Sequence, residues 1–264
     1  MPIVDASLRP RPETASAWSS SDARTSGAAG SDVWPPRYRR VISLGYFCST
    51  ALELQRYGLR DGSYPLDWNI SPIEPTLSMI ASGFHGFLEL ENLEPQDGRV
   101  YDSGSGIFVY NSFDLARPIP EQYDEVRRRY DRRIERFAQA ITRPTLFVRY
   151  IDGPDEFDFL DANMDTVLDV LRRSNPHNDL VLLGNAGLPP VCGGLACYAV
   201  EPDAGDGVAR RFLEKNPELR ARLLHLHYPV GLRICNIARY WHMRQLRRLR
   251  AALRLRTRVR GAGG

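Results

Sequence analysis

Cys48 closes the run Ser43-Leu44-Gly45-Tyr46-Phe47-Cys48, where an apolar segment beginning at Arg40-Val41-Ile42 ends at a glycine and helical spacing takes over. A thiol in the first turn of a helix meets backbone N–H groups that have no intrahelical acceptor. Their partial positive charge favours the thiolate. The same amides can hold the oxyanion that forms when a thiolate adds to a carbonyl carbon. Nucleophile and oxyanion site would then come from a single turn. The competing reading is a small cysteine packed as a hydrophobe under a sheet.

Ten residues further on, Gly58-Leu59-Arg60-Asp61-Gly62-Ser63-Tyr64-Pro65-Leu66-Asp67-Trp68-Asn69-Ile70-Ser71 crowds polar and aromatic groups into a segment too rich in Pro and Gly for regular structure. A strand ending in Ser-Leu-Gly, a Cys three residues on, and then Leu-Arg followed by Ser-x-Pro-x-Asp-Trp together resemble a bacterial family described as putative papain-like cysteine peptidases. Leu66 stands where that signature has Phe. The likeness continues weakly through Tyr130-Asp131-Arg132-Arg133-Ile134-Glu135-Arg136-Phe137 and Leu146-Phe147-Val148-Arg149, and so spans roughly Val41 to Tyr150. The resemblance implies a Cys nucleophile, a His base and an acidic or amide orienter. Cys48 carries over as the nucleophile and Asp67 as the motif carboxylate, whose plainer role is to fix its loop. The family's His is expected in a His-Asp-Phe run after the second strand. The matching stretch is Tyr110-Asn111-Ser112-Phe113-Asp114, and asparagine takes up no proton at neutral pH. Catalytic positions are thus Cys48, Asp67 and Asn111, the last in the base's place, with Ser43, Gly45, Ser63, Trp68 and Arg149 expected to line the substrate site. His85, His225 and His227 are the other candidate bases.

The remaining constellations are weaker. Cys192 and Cys197 are spaced for a zinc hairpin, but no second tight pair accompanies them, so no metal site is expected. Gly184-Asn185-Ala186-Gly187 runs straight into Pro189-Pro190 and reads as a loop rather than a phosphate cradle. No cofactor fingerprint is present, and none is expected.

The elements that must position Cys48 can be read from hydrophobic period. Arg40 to Gly45, Ile107 to Tyr110, Thr145 to Tyr150, Leu180 to Gly184 and Cys197 to Val200 read as strands. Helical spacing follows Cys48 through Ala51, Leu52, Gln55 and Tyr57, and Gly58 stops it. Ser71-Pro72-Ile73-Glu74 has the form of a capping box opening a second helix. Glu121 to Ile141 carries an apolar stripe of Val126, Tyr130, Ile134, Phe137, Ala138 and Ile141, with the intervening arginines as a solvated face. Met164, Val167, Leu168 and Leu171 give another helix face, Val208 to Leu213 another helix, and the chain beyond Pro217 reads as mostly helical. Strands alternating with helices predict an α/β three-layer sandwich with a mostly parallel central sheet. The alternative implied by the resemblance is an α+β papain-like fold.

Composition sets the outer limits. A chain of 264 residues with 43% hydrophobic and 25% charged residues can bury a large core, here expected as one α/β domain over residues 37–243. Residues 1–36, rich in Ser, Ala, Pro, Arg and Gly, read as a disordered arm. The net charge of +3 hides an asymmetry, because residues 244–264 hold eight arginines and no acid while the rest carries 27 bases against 32 acids. Leu246, Leu249 and Leu253 share one face of that tail, so residues 244–260 are expected to meet an anionic surface or acidic partner. Sequence-specific nucleic-acid recognition is not expected, since aromatic interleaving is lacking beyond Tyr240 and Trp241. Four cysteines and no apolar leader point to a reducing, cytoplasmic setting, with a secreted bacterial effector as the alternative. The functional expectation is a cysteine peptidase or related thiol-dependent acyl hydrolase or transferase acting on a peptide or acyl substrate, inactive if Asn111 has replaced the base. A non-catalytic binding module, or a different α/β transferase with its ligand at the strand ends near Arg149 and Asp152, would fit the same residues.

Overall fold

The computed structural model describes residues 38–46, 48–110, 112–185, 187–200, 211–225, 230–242 and 245–246. The arm over 1–36, nearly all of the tail over 244–264, Asn111, His227 and the first half of the Val208–Leu213 segment lie outside the described residues.

Five strands form the principal sheet: β1 (Arg40–Ser43), β6 (Thr145–Tyr150), β7 (Asp179–Gly184), β9 (Leu195–Ala199) and β8 (Val191–Cys192), side by side in that order. The first four run parallel and β8 alone is antiparallel, closing a short hairpin on β9. Strand β6 is buried at all six positions, the near-continuous apolar pattern that a doubly covered parallel strand requires. Its side chains alternate between two cores. Phe147 joins Ile42, Leu180 and Leu182 on one face, under α2 (Ile73–Ala81), α3 (Ile119–Ile141) and α4 (Pro154–Arg172). Leu146 and Val148 join Val41, Val181 and Leu183 on the other, under α1 (Cys48–Arg56), α5 (Phe212–Lys215) and α6 (Pro217–His225). The fold is therefore α/β, with helices on both faces of a mostly parallel sheet.

Hydrophobic period announces one strand of the second sheet, the run from Ile107, and not its partners. Strands β2 (Asn69–Ile70), β5 (Ile107–Val109), β4 (Arg99–Asp102) and β3 (Leu93–Gln96) form an antiparallel sheet in that order, inserted between α1 and α3. Ile107 and Val109 enter the α2–α3–α4 core, so both sheets share it. The α3 stripe is Val126, Tyr130, Phe137 and Ala140, with Ile134 half-buried and Ala138 exposed. The arginines of α3 are not uniformly solvated: Arg129 and Arg133 are half-buried.

The expected capping box at Ser71 does not form. Pro72 is the N-cap of α2 and no side chain caps it. The Ser71 hydroxyl instead accepts the Tyr46 N–H at 3.3 Å, because the β1–α1 turn packs against it and has the greater need of an acceptor. Among the described residues, no helix is long and apolar enough to cross a membrane.

Candidate active site

The turn from β1 into α1 is built from two left-handed residues, Gly45 at φ 85° and Tyr46 at φ 64°. Gly45 is required twice over. A Cβ there would collide with Ser71 Oγ and sit 3.2 Å from the Leu66 carbonyl oxygen, and the dihedral itself disfavours any side chain. Ser43 Oγ accepts the Gly45 N–H at 3.1 Å. Tyr46 pays the steric penalty of a non-glycine residue in this region and is held there by its surroundings, the pattern seen where strain is kept for use. Cys48 follows as the first residue of α1, half-buried and outside any disulfide. Behind it, the Ser49 and Thr50 hydroxyls are buried without a hydrogen-bond partner.

Arg149 anchors this end of the sheet. Its side chain is fully buried at the carboxyl end of β6, donating from Nε to Glu156 Oε1 at 2.6 Å and from Nη1 to the Leu44 carbonyl at 3.0 Å. The guanidinium also lies 5.9 Å from the Tyr46 ring, which stacks on Tyr150 at 5.9 Å. One cation thus clamps the carbonyl just past β1, the first turn of α4 and the strained tyrosine. Glu156 was not singled out in the sequence. Its signal, an acid seven residues after an arginine embedded in a buried run, is faint.

Beside this clamp, where the parallel strands end, lies a cleft of about 310 Å³. Tyr46, Phe159 and the acids Glu74, Asp152, Asp155 and Glu156 line it. The position is the one an open α/β sheet offers a ligand, outside the carboxyl ends of its strands.

Asp67 has a different setting. It is fully buried and accepts Arg60 through Nε at 3.1 Å and through Nη2, and the Tyr64 N–H at 2.6 Å. Burial pushes its carboxyl upward, against the opposing pull of Arg60. Arg60 in turn donates to Gln55 at 3.2 Å and Ser63 Oγ at 3.0 Å and stands 5.5 Å from the Trp68 ring. Gln55 is about 10 Å along α1 from Cys48. Asp67, Ser63 and Trp68 therefore gather around Arg60, whereas Ser43, Gly45 and Arg149 gather at the Cys48 turn. Asn69 pairs with Val109 and Ile70 with Phe108, so the chain leaving β5 runs toward Trp68 and away from Ser71.

Three histidine side chains are described, and all are exposed. His177 precedes β7, at the end of the sheet opposite Cys48. His85 follows α2, whose last residue Ala81 accepts Arg173 just past the end of α4, again at that opposite end. His242 lies one helical turn beyond Arg239, which bonds the Asp61 carbonyl at 2.9 Å. For His225 only the backbone is described, as the last residue of α6.

The other thiols behave as core or surface groups. Cys192 and Cys197 are buried in the β8–β9 hairpin, and Cys192 donates to the Phe157 carbonyl at 3.7 Å. Burial pushes their pKa values up to about 12 and about 11 respectively. Among the described residues, no group of three or more His, Cys, Asp or Glu could hold a metal. Both thiols are held protonated at neutral pH. Iodoacetamide at pH 7.5 is therefore expected to modify Cys48 and exposed Cys235 while leaving Cys192 and Cys197 unmodified, as read by peptide mass mapping. Fast modification of either hairpin cysteine would contradict the burial argument.

Comparison with known proteins bears on the same segment. An alignment of 171 residues with the uncharacterized protein R408 of Acanthamoeba polyphaga mimivirus is 25% identical and covers 54% of this chain and 77% of that protein. No solved structure matches. The model of the family described as "Putative papain-like cysteine peptidase (DUF1796)" matches residues 39–182, a span that holds the Cys48 turn, the Asp67 loop, α3 and Arg149. That span is more than half of the 264 residues, and the chain belongs to this family.

Proposed function

We propose that the protein is a thiol-dependent acyl hydrolase of the cysteine-peptidase kind, with Cys48 as nucleophile and the acidic cleft as its substrate site. The observation that carries this reading is the placement of Cys48 as the first residue of α1, directly after a strained strand-to-helix turn. The Cys48 thiol passes its proton to a base and the sulfur adds to the substrate carbonyl carbon. The developing oxyanion is met by the N–H groups of the first turn. Collapse breaks the bond to the leaving amine, which takes the proton. Water then cleaves the thioester, releasing the acid and restoring the thiol. With three of the histidines placed away from Cys48, His225 and His227 are the ones to test as base.

The cleft's charge names the substrate class. Glu74, Asp152 and Asp155 add to Glu156, and among the described residues only Glu156 is paired with a cation, Arg149, so the cleft favours peptides with a basic side chain next to the scissile bond. Fluorogenic lysyl and arginyl amides are expected to give a kcat/KM about tenfold or more above that of glutamyl amides, equivalent to about 1.4 kcal/mol in the transition state. Turnover should disappear after alkylation. A preference for acidic amides, or no turnover of any of them, would overturn this reading.

A further inference from the structure

Helix α3 places Arg129, Arg132, Arg133 and Arg136 at successive i, i+3, i+4 and i+7 positions, one face of the helix. Like charges so spaced repel, and a helix normally relieves this by interleaving acids. Arg127 on the same helix follows that rule, pairing with Asp131 at 2.9 Å and Glu89 at 3.4 Å. The four arginines do not. Arg239 joins them from the helical residues 230–242, and the five enclose a cavity of about 370 Å³ with the Asp61–Ser63 loop. Among the described residues, none of the five pairs with a carboxylate. Asp61 is the single acid of the lining, and Arg40 already matches it at 2.8 Å. Asp67, nearby and fully buried, is matched by Arg60.

Four of the five guanidinium groups are held in place by neutral partners, and Arg132 is exposed beside them. Arg129 donates to the Ser112 carbonyl at 2.9 Å, Arg136 to the Ser63 carbonyl and Arg239 to the Asp61 carbonyl at 2.9 Å. Arg133 stacks 4.7 Å over the Tyr130 ring. These contacts orient the heads without neutralising them. Arg129 Nε and Arg133 Nη1 are buried donors with no partner, and burial together with the neighbouring cations pushes the Arg133 pKa down. An unmatched, pre-positioned cluster of guanidinium forks is what phosphate oxygens bind bidentately.

We propose that this pocket binds a ligand carrying a chain of two or more phosphates. A single carboxylate or sulfate would leave most of the cationic charge unmatched, whereas a di- or triphosphate matches it within the volume. A nucleic-acid strand fits the observations less well. The charges converge on one concavity instead of forming a track, and no aromatic side chain lines it for base stacking. The site stands apart from the Cys48 turn and does not depend on the acyl-hydrolase reading.

The test is calorimetric titration of the full chain at 0.15 M salt with inorganic tripolyphosphate, a nucleoside triphosphate and orthophosphate. Tripolyphosphate is expected to bind with one site per chain and at least tenfold more tightly than orthophosphate. If the nucleoside triphosphate binds more tightly still, the ligand is a nucleotide; equal affinity means that the phosphate chain alone is recognised. Arg132→Gln and Arg136→Gln, both at exposed positions that leave the core intact, should each weaken binding about tenfold, and Arg133→Gln more. Arg128→Gln, exposed on α3 outside the pocket, should leave it unchanged. With its repulsion relieved, the Arg132→Gln protein should also melt no lower than the parent. Three results would overturn the proposal: no binding; equal loss in Arg128→Gln; or loss confined to a variant with Arg247, Arg250, Arg254 and Arg256 of the tail changed to Gln.

Discussion

Cys48→Ala is expected to lower turnover of a lysyl or arginyl amide by about three orders of magnitude or more while leaving the melting temperature almost unchanged. The two halves of that expectation have separate causes. Removing the sulfur removes the atom that forms the covalent intermediate, and whatever the first-turn amides still contribute acts only on the slow attack of water. The fold loses little, because Cys48 is half-buried and the turn before it is held by Gly45, by Ser71 on the Tyr46 N–H, and by Arg149 on the Leu44 carbonyl. Turnover that survives in Cys48→Ala would show that the thiol is not the nucleophile. The base is tested in the same assay. Loss of His225 or His227 should remove the rise in kcat/KM between about pH 6 and 7 if that residue takes the proton, and a profile unchanged in both variants would exclude them. Asn111→His tests the expectation, drawn from the sequence resemblance, that the base belongs at this position; a gain in rate would support it and no gain would count against it.

Glu156→Leu is expected to destabilise the protein by about 3–5 kcal/mol, with a fall in melting temperature of roughly 10 °C. Arg149 is fully buried, and Glu156 is its only anionic partner among the described residues. Deleting the carboxylate strands a guanidinium in the core with one unmatched Nη2 already present. Glu156→Gln should lose less, because the amide oxygen still accepts the Nε–H at the same position. The double variant Arg149→Met with Glu156→Leu separates net stability from specificity. Removing both charges should recover much of the loss, since two desolvated ions give way to packed apolar groups. It should still lower amide turnover, because the Leu44 carbonyl and the Tyr46 ring lose the cation that fixes them ahead of Cys48. Chemical denaturation of the three variants beside the parent measures the first effect and steady-state kinetics the second. A double variant no more stable than Glu156→Leu alone would show that Arg149 contributes through more than its charge.

Much of the architecture was present in local sequence. The runs at Arg40, Thr145 and Leu180 are apolar, β-branched in part, and bounded by Gly or polar turns, and each becomes a parallel strand. The stripe of α3 repeats at helical period over 23 residues, long enough to be unambiguous. The start of α1 at Cys48 was equally legible, because Gly45 ends one period and Ala51 begins another. Of the antiparallel sheet, only the strand at Ile107 was legible. The sheet's strands are two to four residues long, β3 is largely exposed, and their pairing links Asn69 to Val109 across 40 positions, so no local period records it. Ser71 shows the limit from the other direction. Its local motif fits a capping box, yet a turn 25 residues away in sequence competes for its hydroxyl and holds it.

The same division runs through the candidate site. Sequence alone placed a thiol at a helix start and an arginine inside a buried strand, since residue type and period suffice for both. Only the tertiary structure decided what those residues meet. It gives Arg149 to Glu156 and the Leu44 carbonyl, keeps Asp67 with Arg60, and draws four arginines of one helix together with Arg239, a hundred residues further along the chain. Charges attract, repel and desolvate according to distance in space, and a linear chain does not contain that distance until the sheet has brought its strands together.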